Sequence, residues 1–300
     1  MKTPWWFLHK TPIAIVLLPV AWLYYLLGRV VFVVRKIGAI KSRRKIICIG
    51  NILAGGVGKT PIVRAIANYF DAPVVMRGYK KSMKSDDVGD EAKMLARDGL
   101  AVHVGNRKSN IILLNKQSDK TPIVMDDGLQ NSSIKKDVSV LVFDEKIGMG
   151  NGLLLPAGPL REPWCAIKKA DAVIIIKSDT KQKNKKIRMP ESVPVFYAYN
   201  QTVSPFDGKQ KVFAFAGIGY PKKFFAALNN VVGKRAFADH YQYTDDDLKK
   251  LIMLAERKKA KLITTEKDWV RLPDWAQKEV KFARLETVID EQFFDWIKGK

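Results

Sequence analysis

A glycine-rich turn between an apolar segment and an amphipathic one constrains the fold of this chain more than any other feature. The apolar segment 45–49 has the sequence KIICI, the turn 50–60 is GNILAGGVGKT, and residues 61–70 carry apolar side chains at helical spacing. A strand, a glycine loop ending in Lys-Thr and a helix form the context that a Walker A motif requires. We therefore predict a P-loop in which backbone N–H groups and the helix N-terminus bind phosphate oxygens.

The residues of this turn have distinct predicted roles. Lys59 would reach the β- and γ-phosphates of a nucleotide, and the Thr60 hydroxyl would bind Mg²⁺. The general pattern has a glycine where this chain has Leu53, and a partitioning-type ATPase would have a lysine in place of Ala54. The predicted nucleotide-binding residues are Gly55, Gly56, Val57, Gly58, Lys59, Thr60 and Pro61.

Two apolar segments end in aspartate and are both candidates for a metal-binding role. Residues 122–125 lead into Asp126 and Asp127, and residues 138–143 lead into Asp144. A carboxylate at the C-terminal end of a buried strand beside a P-loop can position Mg²⁺. The spacing leaves both open, but a pair of aspartates before a glycine is harder to explain as a plain surface turn, which favours Asp126 and Asp127.

A further acidic segment, DDVGDEAKML, lies between these motifs. Asp90 and Glu91 are predicted at the start of a helix, where the macrodipole favours carboxylates in any case. Helix capping is therefore an alternative to a role as general base for an attacking hydroxyl, or as a further metal contact.

Residues 1–45 predict attachment to a membrane. Residues 11–28 are uncharged and would span about 27 Å as a helix, close to the hydrocarbon thickness of roughly 30 Å. Basic residues cluster on the C-terminal side, so the positive-inside rule places the rest of the chain in the cytoplasm. A cleaved signal peptide would need a small-x-small pattern that is lacking here, and a buried core helix is the other alternative. Pro19 and Arg29 leave open whether the segment spans the bilayer or lies in its surface.

The charge balance indicates an anionic partner. The chain has 52 lysine and arginine residues against 30 acidic ones, a formal net charge of +22. Nucleic acid, a phospholipid surface and a phosphorylated substrate all fit this charge. No helix-turn-helix, RNP-type aromatic motif or zinc-ligand spacing is present, so we predict no nucleic-acid partner. The two cysteines show no CxxC spacing, which excludes a cysteine-rich metal site.

Apolar strands that alternate with helical stretches predict an α/β fold with a parallel, P-loop NTPase-like sheet. We expect three parts: an N-terminal membrane helix in 1–36, a P-loop domain in 37–204 and a smaller α/β domain in 205–300. In the last part we predict strands at 211–216, 231–237 and 261–265 and helices at 221–229 and 245–259. Thr244 and Asp247 form a predicted capping box at the start of the second of these helices.

Several segments occur together in a fixed order. After the N-terminal hydrophobic helix come GNILAGGVGKTP, RGY, DVGDEAKMLA, MDDGLQN, GNGLLLPAGPLREPW, FAGIGYPKKFF, FADHYQYTDDDL and LITTEKD. They resemble one family over nearly the whole chain, the tetraacyldisaccharide 4′-kinases of the lipid A pathway in Gram-negative bacteria. This family also has the irregular P-loop with Leu53.

The resemblance implies ATP- and Mg²⁺-dependent phosphorylation of the 4′-hydroxyl of an acylated glucosamine disaccharide 1-phosphate. ATP, this lipid A precursor and membrane lipids would be the partners, at the cytoplasmic face of the bacterial inner membrane. By motif match Lys59 is catalytic, Asp126 and Asp127 are the metal-associated pair, and Asp90 is the base. His240 matches the histidine that partners this base. Asp87 is the alternative base.

Two residues depart from the family pattern. Asn131 stands where the family has histidine after DDGxQ, and an asparagine cannot be cationic or transfer a proton. A charged imidazole is therefore not available at this position. Met76 replaces the small polar residue that is usual before RGY.

Five residues are candidates for substrate contacts. Guanidinium groups suit phosphate oxygens, although a solvated surface arginine is the alternative for each arginine. The acidic candidate Glu162 closes a rigid, proline-rich segment. The five are Arg77, Asp87, Arg107, Arg161 and Glu162.

The alternative function is a membrane-associated P-loop ATPase of the partitioning or metal-insertion type. For the kinase, we place Asp90 in the first domain and His240 in the second. A dyad between them would require the domains to close over the substrate, which would also exclude water.

Overall fold

The computed structural model describes residues 4–78, 89–177, 187 and 189–300. Within this part of the chain the strands are β1 Ile46–Gly50, β2 Val74–Met76, β3 Val102–Val104, β4 Ile123–Asp126, β5 Val138–Asp144, β6 Ala172–Lys177, β7 Val195–Val203, β8 Val212–Ala216, β9 Val231–Ala236, β10 Lys261–Thr265 and β11 Lys281–Ile289. The α-helices are α1 Pro12–Val16, α2 Leu18–Ile37, α3 Lys59–Phe70, α4 Asp90–Arg97, α5 Arg107–Leu114, α6 Pro221–Ala226, α7 Asp245–Arg257, α8 Glu266–Trp269, α9 Asp274–Glu279 and α10 Glu291–Lys298. Short 3₁₀ helices cover Trp5–Phe7 and Trp164–Lys169.

The chain folds into two compact units. Residues 89–97 and 200–286 form one of them, which we call the second unit. The other described residues form the P-loop unit. Each has its own set of parallel strands and its own hydrophobic core.

The P-loop unit contains parallel strands in the order β3-β2-β4-β1-β5-β6-β7. Every residue of β1 is buried, as expected of a central parallel strand with both faces covered. Ile49 of β1 is paired with Asp126 of β4, so these two strands end side by side. Polar residues that follow β1 and β4 therefore meet at one edge of the sheet, where open α/β sheets bind ligands.

The second unit contains parallel strands in the order β9-β8-β10-β11. One core cluster joins Phe213 and Phe215 of β8 to Leu248 and Leu251 of α7. The predicted capping box is present, because the Thr244 side chain and the Asp247 side chain each accept from the other residue's backbone N–H. The predicted α/β fold is confirmed in both units.

The two units do not follow the continuous ranges predicted from the sequence. α10 belongs to the P-loop unit, where Phe294 stacks on Tyr69 with ring centroids 4.2 Å apart. α4 belongs to the second unit. The expectation that Asp90 and His240 lie in different domains is therefore wrong, and pairing them requires no domain closure.

The N-terminal part, predicted as one membrane helix within 1–36, forms two α-helices. α1 ends at Val16, and α2 runs on through Arg29 to Ile37. Pro19 stands in the first turn of α2, where its missing N–H costs nothing. α2 has 20 residues with a mean hydropathy of 1.5, which is long and apolar enough to cross a membrane. Of its side chains only that of Ala21 is buried.

Candidate active site

The P-loop joins β1 to α3 in the predicted position. Gly55 and Gly58 have φ angles of 115° and 78°, a region that L-residues with side chains rarely adopt. A Cβ atom added at Gly55 or Gly56 would meet no atom within 4 Å, so this side of the loop is open. α3 begins at Lys59 directly after Gly58, and its first N–H groups have no partner within the helix. The loop therefore offers free donors to an anion.

Lys59, Asp127 and Arg161 form a compact ionic cluster beside this loop. Lys59 Nζ lies 3.2 Å from Asp127 Oδ1, and Arg161 Nη1 lies 2.9 Å from Asp127 Oδ2. Burial of Asp127 raises its pKa, but Lys59 and Arg161 outweigh burial, so the pKa lies below the ordinary value. Two cations share one anion among these three side chains, which suits a site for a polyanion.

The Arg107 side chain bonds to the backbone at the end of β4. Its Nη2 donates to the carbonyl oxygens of Asp126 at 2.6 Å and Asp127 at 3.2 Å. The Arg107 side chain is buried, and burial lowers the pKa of its guanidinium. Arg107 thus positions the two aspartates in this structure, and a contact with substrate stays a prediction.

Asp144, the second metal candidate, has a local structural role. Its Oδ1 accepts from the backbone N–H groups of Lys146 at 2.9 Å and Ile147 at 3.1 Å. The carboxylate therefore closes the turn after β5. This geometry favours Asp126 and Asp127 for the metal, the assignment that the sequence placed first.

A chain of hydrogen bonds connects Glu162 to the P-loop lysine. Glu162 Oε1 accepts from Gln130 Nε2, which also donates to the backbone oxygen of Asn51, each at 3.1 Å. Asn51 is fully buried, and its Oδ1 accepts from Lys59 Nζ at 3.2 Å. Glu162 also pairs with Lys169 at 2.7 Å. Asn51 and Gln130 lie within motifs singled out in the sequence, but sequence reasoning gave them no role.

The oxygen donors of the P-loop unit fit Mg²⁺ held chiefly by nucleotide phosphates. Among the described residues, no group of three or more His, Cys, Asp or Glu side chains could hold a metal alone. Kinase Mg²⁺ commonly uses one or two carboxylates together with phosphates and water. The Thr60 hydroxyl and the carboxylates of Asp126 and Asp127 supply hard donors of this kind.

The proline-rich segment 150–163 is attached to the P-loop through its backbone. Ala54 N donates to Pro159 O, and Arg161 N donates to Ile52 O, both at 2.7 Å. Asn151, which is buried, secures the other end of the segment by donating to Trp6 O and Ala157 O. Because the segment is bonded at both ends, the position of Arg161 beside Asp127 is fixed.

The departures from the family pattern are placed as follows. Asn131 Oδ1 accepts from the N–H and hydroxyl of Ser133, so its side chain closes a local turn. Met76 is buried at the end of β2, and Arg77 after it is exposed. Asp87 lies outside the described residues.

In the second unit the structure brings Asp90 and His240 together. His240 Nδ1 lies 3.5 Å from Asp90 Oδ2. Arg271 Nε donates to the same oxygen at 2.8 Å, and Lys267 Nζ lies 3.2 Å from His240 Nε2. Sequence reasoning missed Arg271 and Lys267. The LITTEKD motif, which contains Lys267, was the available signal for that residue, and Arg271 had none.

Comparison with known proteins shows the family of the chain. Residues 13–300 match the family model described as tetraacyldisaccharide-1-P 4′-kinase. The tetraacyldisaccharide 4′-kinase of Rickettsia bellii is 36% identical over 289 residues, 87% of each chain. The one from Rhodospirillum rubrum is 37% identical over 272 residues, 82% of each chain.

A solved structure shares the fold. The LpxK crystal structure from Aquifex aeolicus superposes with a TM-score of 0.73 at 24% identity, covering 93% of this chain and 96% of that one. None of these relatives favours the partitioning or metal-insertion ATPase that the sequence left as the alternative. The chain therefore belongs to the tetraacyldisaccharide 4′-kinase family.

Proposed function

We propose that this kinase transfers the γ-phosphate of ATP to the 4′-hydroxyl of a tetraacyl glucosamine disaccharide 1-phosphate, the lipid A precursor. The observation that carries the proposal is the Lys59–Asp127–Arg161 cluster beside an open glycine loop. Such a cluster suits a terminal phosphate, because phosphoryl transfer depends chiefly on positioning and on neutralising charge.

ATP is the proposed phosphate donor. The related protein from Aquifex aeolicus was crystallised in complex with ATP. In this chain the loop 55–61 would bind the phosphates, with Lys59 leaving Asp127 to contact the β- and γ-oxygens. The bonds of Lys59 to Asp127 and Asn51 would hold it near that position beforehand. When bound, Mg²⁺ would neutralise charge on the β- and γ-phosphates, held by Thr60, Asp126 and Asp127.

Asp90 is the proposed general base. Its carboxylate would take the proton from the 4′-hydroxyl as the hydroxyl oxygen bonds to the γ-phosphorus. The bond between that phosphorus and the β–γ bridging oxygen breaks, and ADP leaves with the electron pair. His240 would orient the carboxylate through Nδ1, the ring nitrogen that faces Asp90.

The substrate requires the enzyme to work at a membrane surface, since a tetraacylated disaccharide stays in the bilayer. The exposed apolar side chains of α2 fit the hydrocarbon region. Exposed basic residues lie towards and beyond its C-terminal end and fit anionic headgroups: Arg35, Lys36, Lys41 and Arg43. We propose that α2 anchors the chain in the bacterial inner membrane with both units in the cytoplasm.

The test is transfer of label from [γ-³²P]ATP to purified tetraacyldisaccharide 1-phosphate in mixed micelles, followed by thin-layer chromatography. We expect one labelled lipid product and one ADP per labelled lipid. An acceptor in which the 4′-hydroxyl is replaced by hydrogen should take up no label.

The control is ATP hydrolysis without lipid. Slow hydrolysis is expected, because the base would have no hydroxyl to activate. Rapid ADP release that lipid does not affect, with no labelled product, would assign the chain to the ATPases instead.

A further inference from the structure

The contact between Lys267 and His240 bears on which ring nitrogen of the histidine carries the proton. Lys267 Nζ lies 3.2 Å from His240 Nε2, and an ammonium group can donate hydrogen bonds but cannot accept them. Nε2 must then be the acceptor, which places the proton of the neutral ring on Nδ1. That nitrogen is the one 3.5 Å from Asp90 Oδ2. In this tautomer the protonated nitrogen is the one that faces Asp90.

Arg271 holds the other partner of the pair. Its Nε donates to Asp90 Oδ2 at 2.8 Å, and its Nη1 donates to Asp268 Oδ1 at 3.2 Å. The Arg271 side chain is only 5% exposed and that of Asp268 is fully buried. Arg271 Nε and His240 Nδ1 both face Oδ2 of Asp90. The two side chains therefore orient the carboxylate through the same oxygen.

The backbone ties these two cations to His240. Asp268, next to Lys267, accepts from Gly217 N at 3.0 Å, and Gly217 O accepts from His240 N at 3.0 Å. His240 has a φ of 59°, an uncommon value for a residue with a side chain. A Cβ at Gly217 would lie 2.9 Å from Tyr243 Oη and 3.1 Å from Asp268 Oδ1, so these segments are closely packed. Their fixed spacing keeps Lys267 at the ring.

We propose that Lys267 and Arg271 are positioning residues for the Asp90–His240 pair, with Lys267 fixing the histidine tautomer and Arg271 fixing the carboxylate. The proposal rests on the proposed function, in which Asp90 is the base. Neither cation is assigned a contact with the reacting atoms.

The charges around His240 give the proposal a pH dependence. Burial first, then the positive charges of Lys267 and Arg271, lower the pKa of His240, whereas the carboxylates of Asp239 and Asp90 raise it. In Lys267→Met the positive charge that lowers the pKa of His240 is lost. The pKa of His240 then rises, and the imidazolium persists to higher pH. A second positive charge beside Asp90 disfavours proton uptake by the carboxylate. The acid limb of the kcat profile should then move to higher pH.

The kinetic test compares full-length wild-type protein, Lys267→Met and Lys267→Arg in mixed micelles with lipid acceptor and ATP. We expect Lys267→Met to lower kcat about tenfold, part of the roughly 10²–10⁴-fold that a general base contributes. The KM for ATP should stay unchanged and the acid limb should move upward. Lys267→Arg should restore much of the loss. The control Lys249→Met removes the same charge from an exposed position on α7 and should leave kcat unchanged.

A double mutant separates positioning from a general structural effect. If Lys267 acts through Asp90, Lys267→Met should cost nothing further in an Asp90→Asn background. An equal loss in both backgrounds would overturn the proposal. Arg271→Lys keeps the buried charge but cannot reproduce the guanidinium fork, and we expect it also to lower kcat without changing the KM for ATP.

A spectroscopic test does not depend on activity. The chain has only three histidines, so ¹⁵N-histidine NMR can identify His240 by loss of its signal in His240→Gln. We expect the Nδ1–H tautomer in the wild type and a shift towards Nε2–H in Lys267→Met. An Nε2–H tautomer in the wild type would overturn the proposal even if the kinase function holds. An unaltered kcat in Asp90→Asn would instead overturn the base assignment on which the proposal rests.

Discussion

Asp127 and His240 share a left-handed backbone conformation, with φ angles of 49° and 59°. Such conformations persist where the surroundings over-determine them, and they concentrate at functional sites. For Asp127 the constraints are the N–H bond to Ile49 O at 2.8 Å, the guanidinium of Arg107 on its carbonyl, and Lys59 on its carboxylate. The strain at Asp127 is thus balanced by contacts that aim its carboxylate at the P-loop lysine.

At this scale the two metal candidates can be separated. We expect Asp127→Asn to lower kcat by at least about 10²-fold, because the variant loses a charge beside the transferred phosphate. Asp144→Asn should lower kcat much less, since Asp144 closes a turn through backbone N–H groups. Rates measured across a range of Mg²⁺ concentrations check this. Equal losses in the two variants would contradict the assignment.

Among the elements, the segment 150–163 links the N-terminal 3₁₀ helix to the nucleotide loop. Asn151 N donates to Phe7 O at 2.7 Å, and a Cβ at Gly158 would collide with Asn151 Oδ1. At the other end, Pro159 O and the Arg161 N–H bond to the P-loop backbone. Packing around Asn151 therefore sets where Arg161 lies.

We expect Asn151→Ala to destabilise the protein by about 2–3 kcal/mol, because the carbonyl groups of Trp6 and Ala157 lose their donor. The KM for ATP should rise as Arg161 and the P-loop lose support. Chemical denaturation and initial-rate kinetics measure the two effects. Asn229→Ala, at an exposed asparagine, is the matched control. An unchanged KM in Asn151→Ala would show that the segment does not support the nucleotide loop.

Local sequence signals predicted the elements that depend on neighbouring residues. The predicted strand 261–265 is β10, and the capping box from Thr244 starts α7 where expected. The N-terminal helix was predicted within 1–36, with 11–28 as its uncharged stretch. The structure instead divides this part at Leu17, and α2 continues past Arg29, because a single charge does not end a helix. Only the apolar run was visible in the sequence, and it does not specify the helix ends.

On the scale of the whole molecule, the two units interleave along the chain, and this could not be read from the sequence. α4 joins the second unit because the Arg97 guanidinium lies over the rings of Trp269 and Phe282, at 4.4 and 4.0 Å. Arg271 and Asp90 are 181 residues apart. Contacts of that range have no spacing pattern, whereas the P-loop was recognisable because its residues are consecutive.

If α2 anchors the chain in the membrane, the intact protein should bind to lipid vesicles through this helix. Leu23 and Val30 are both exposed on α2, and a lysine at the centre of a membrane helix costs about 2.5–3.5 kcal/mol. The double variant Leu23→Lys, Val30→Lys should therefore move from the vesicle pellet to the supernatant on sedimentation with anionic liposomes.

The matched control places two lysines on α7, at the exposed Met253 and Leu254. It should sediment with the liposomes like the wild type. Retention of the α2 variant on the vesicles would show that another surface binds the membrane.

The most direct test of the central claim, a P-loop lysine acting on the transferred phosphate, is the rate of label transfer from [γ-³²P]ATP to tetraacyldisaccharide 1-phosphate by Lys59→Ala. The account predicts a loss of at least about 10²-fold, since Lys59 would no longer neutralise the β- and γ-phosphates. Lys120→Ala, at an exposed lysine of the same unit, should transfer label at the wild-type rate. A wild-type rate in Lys59→Ala would contradict the account.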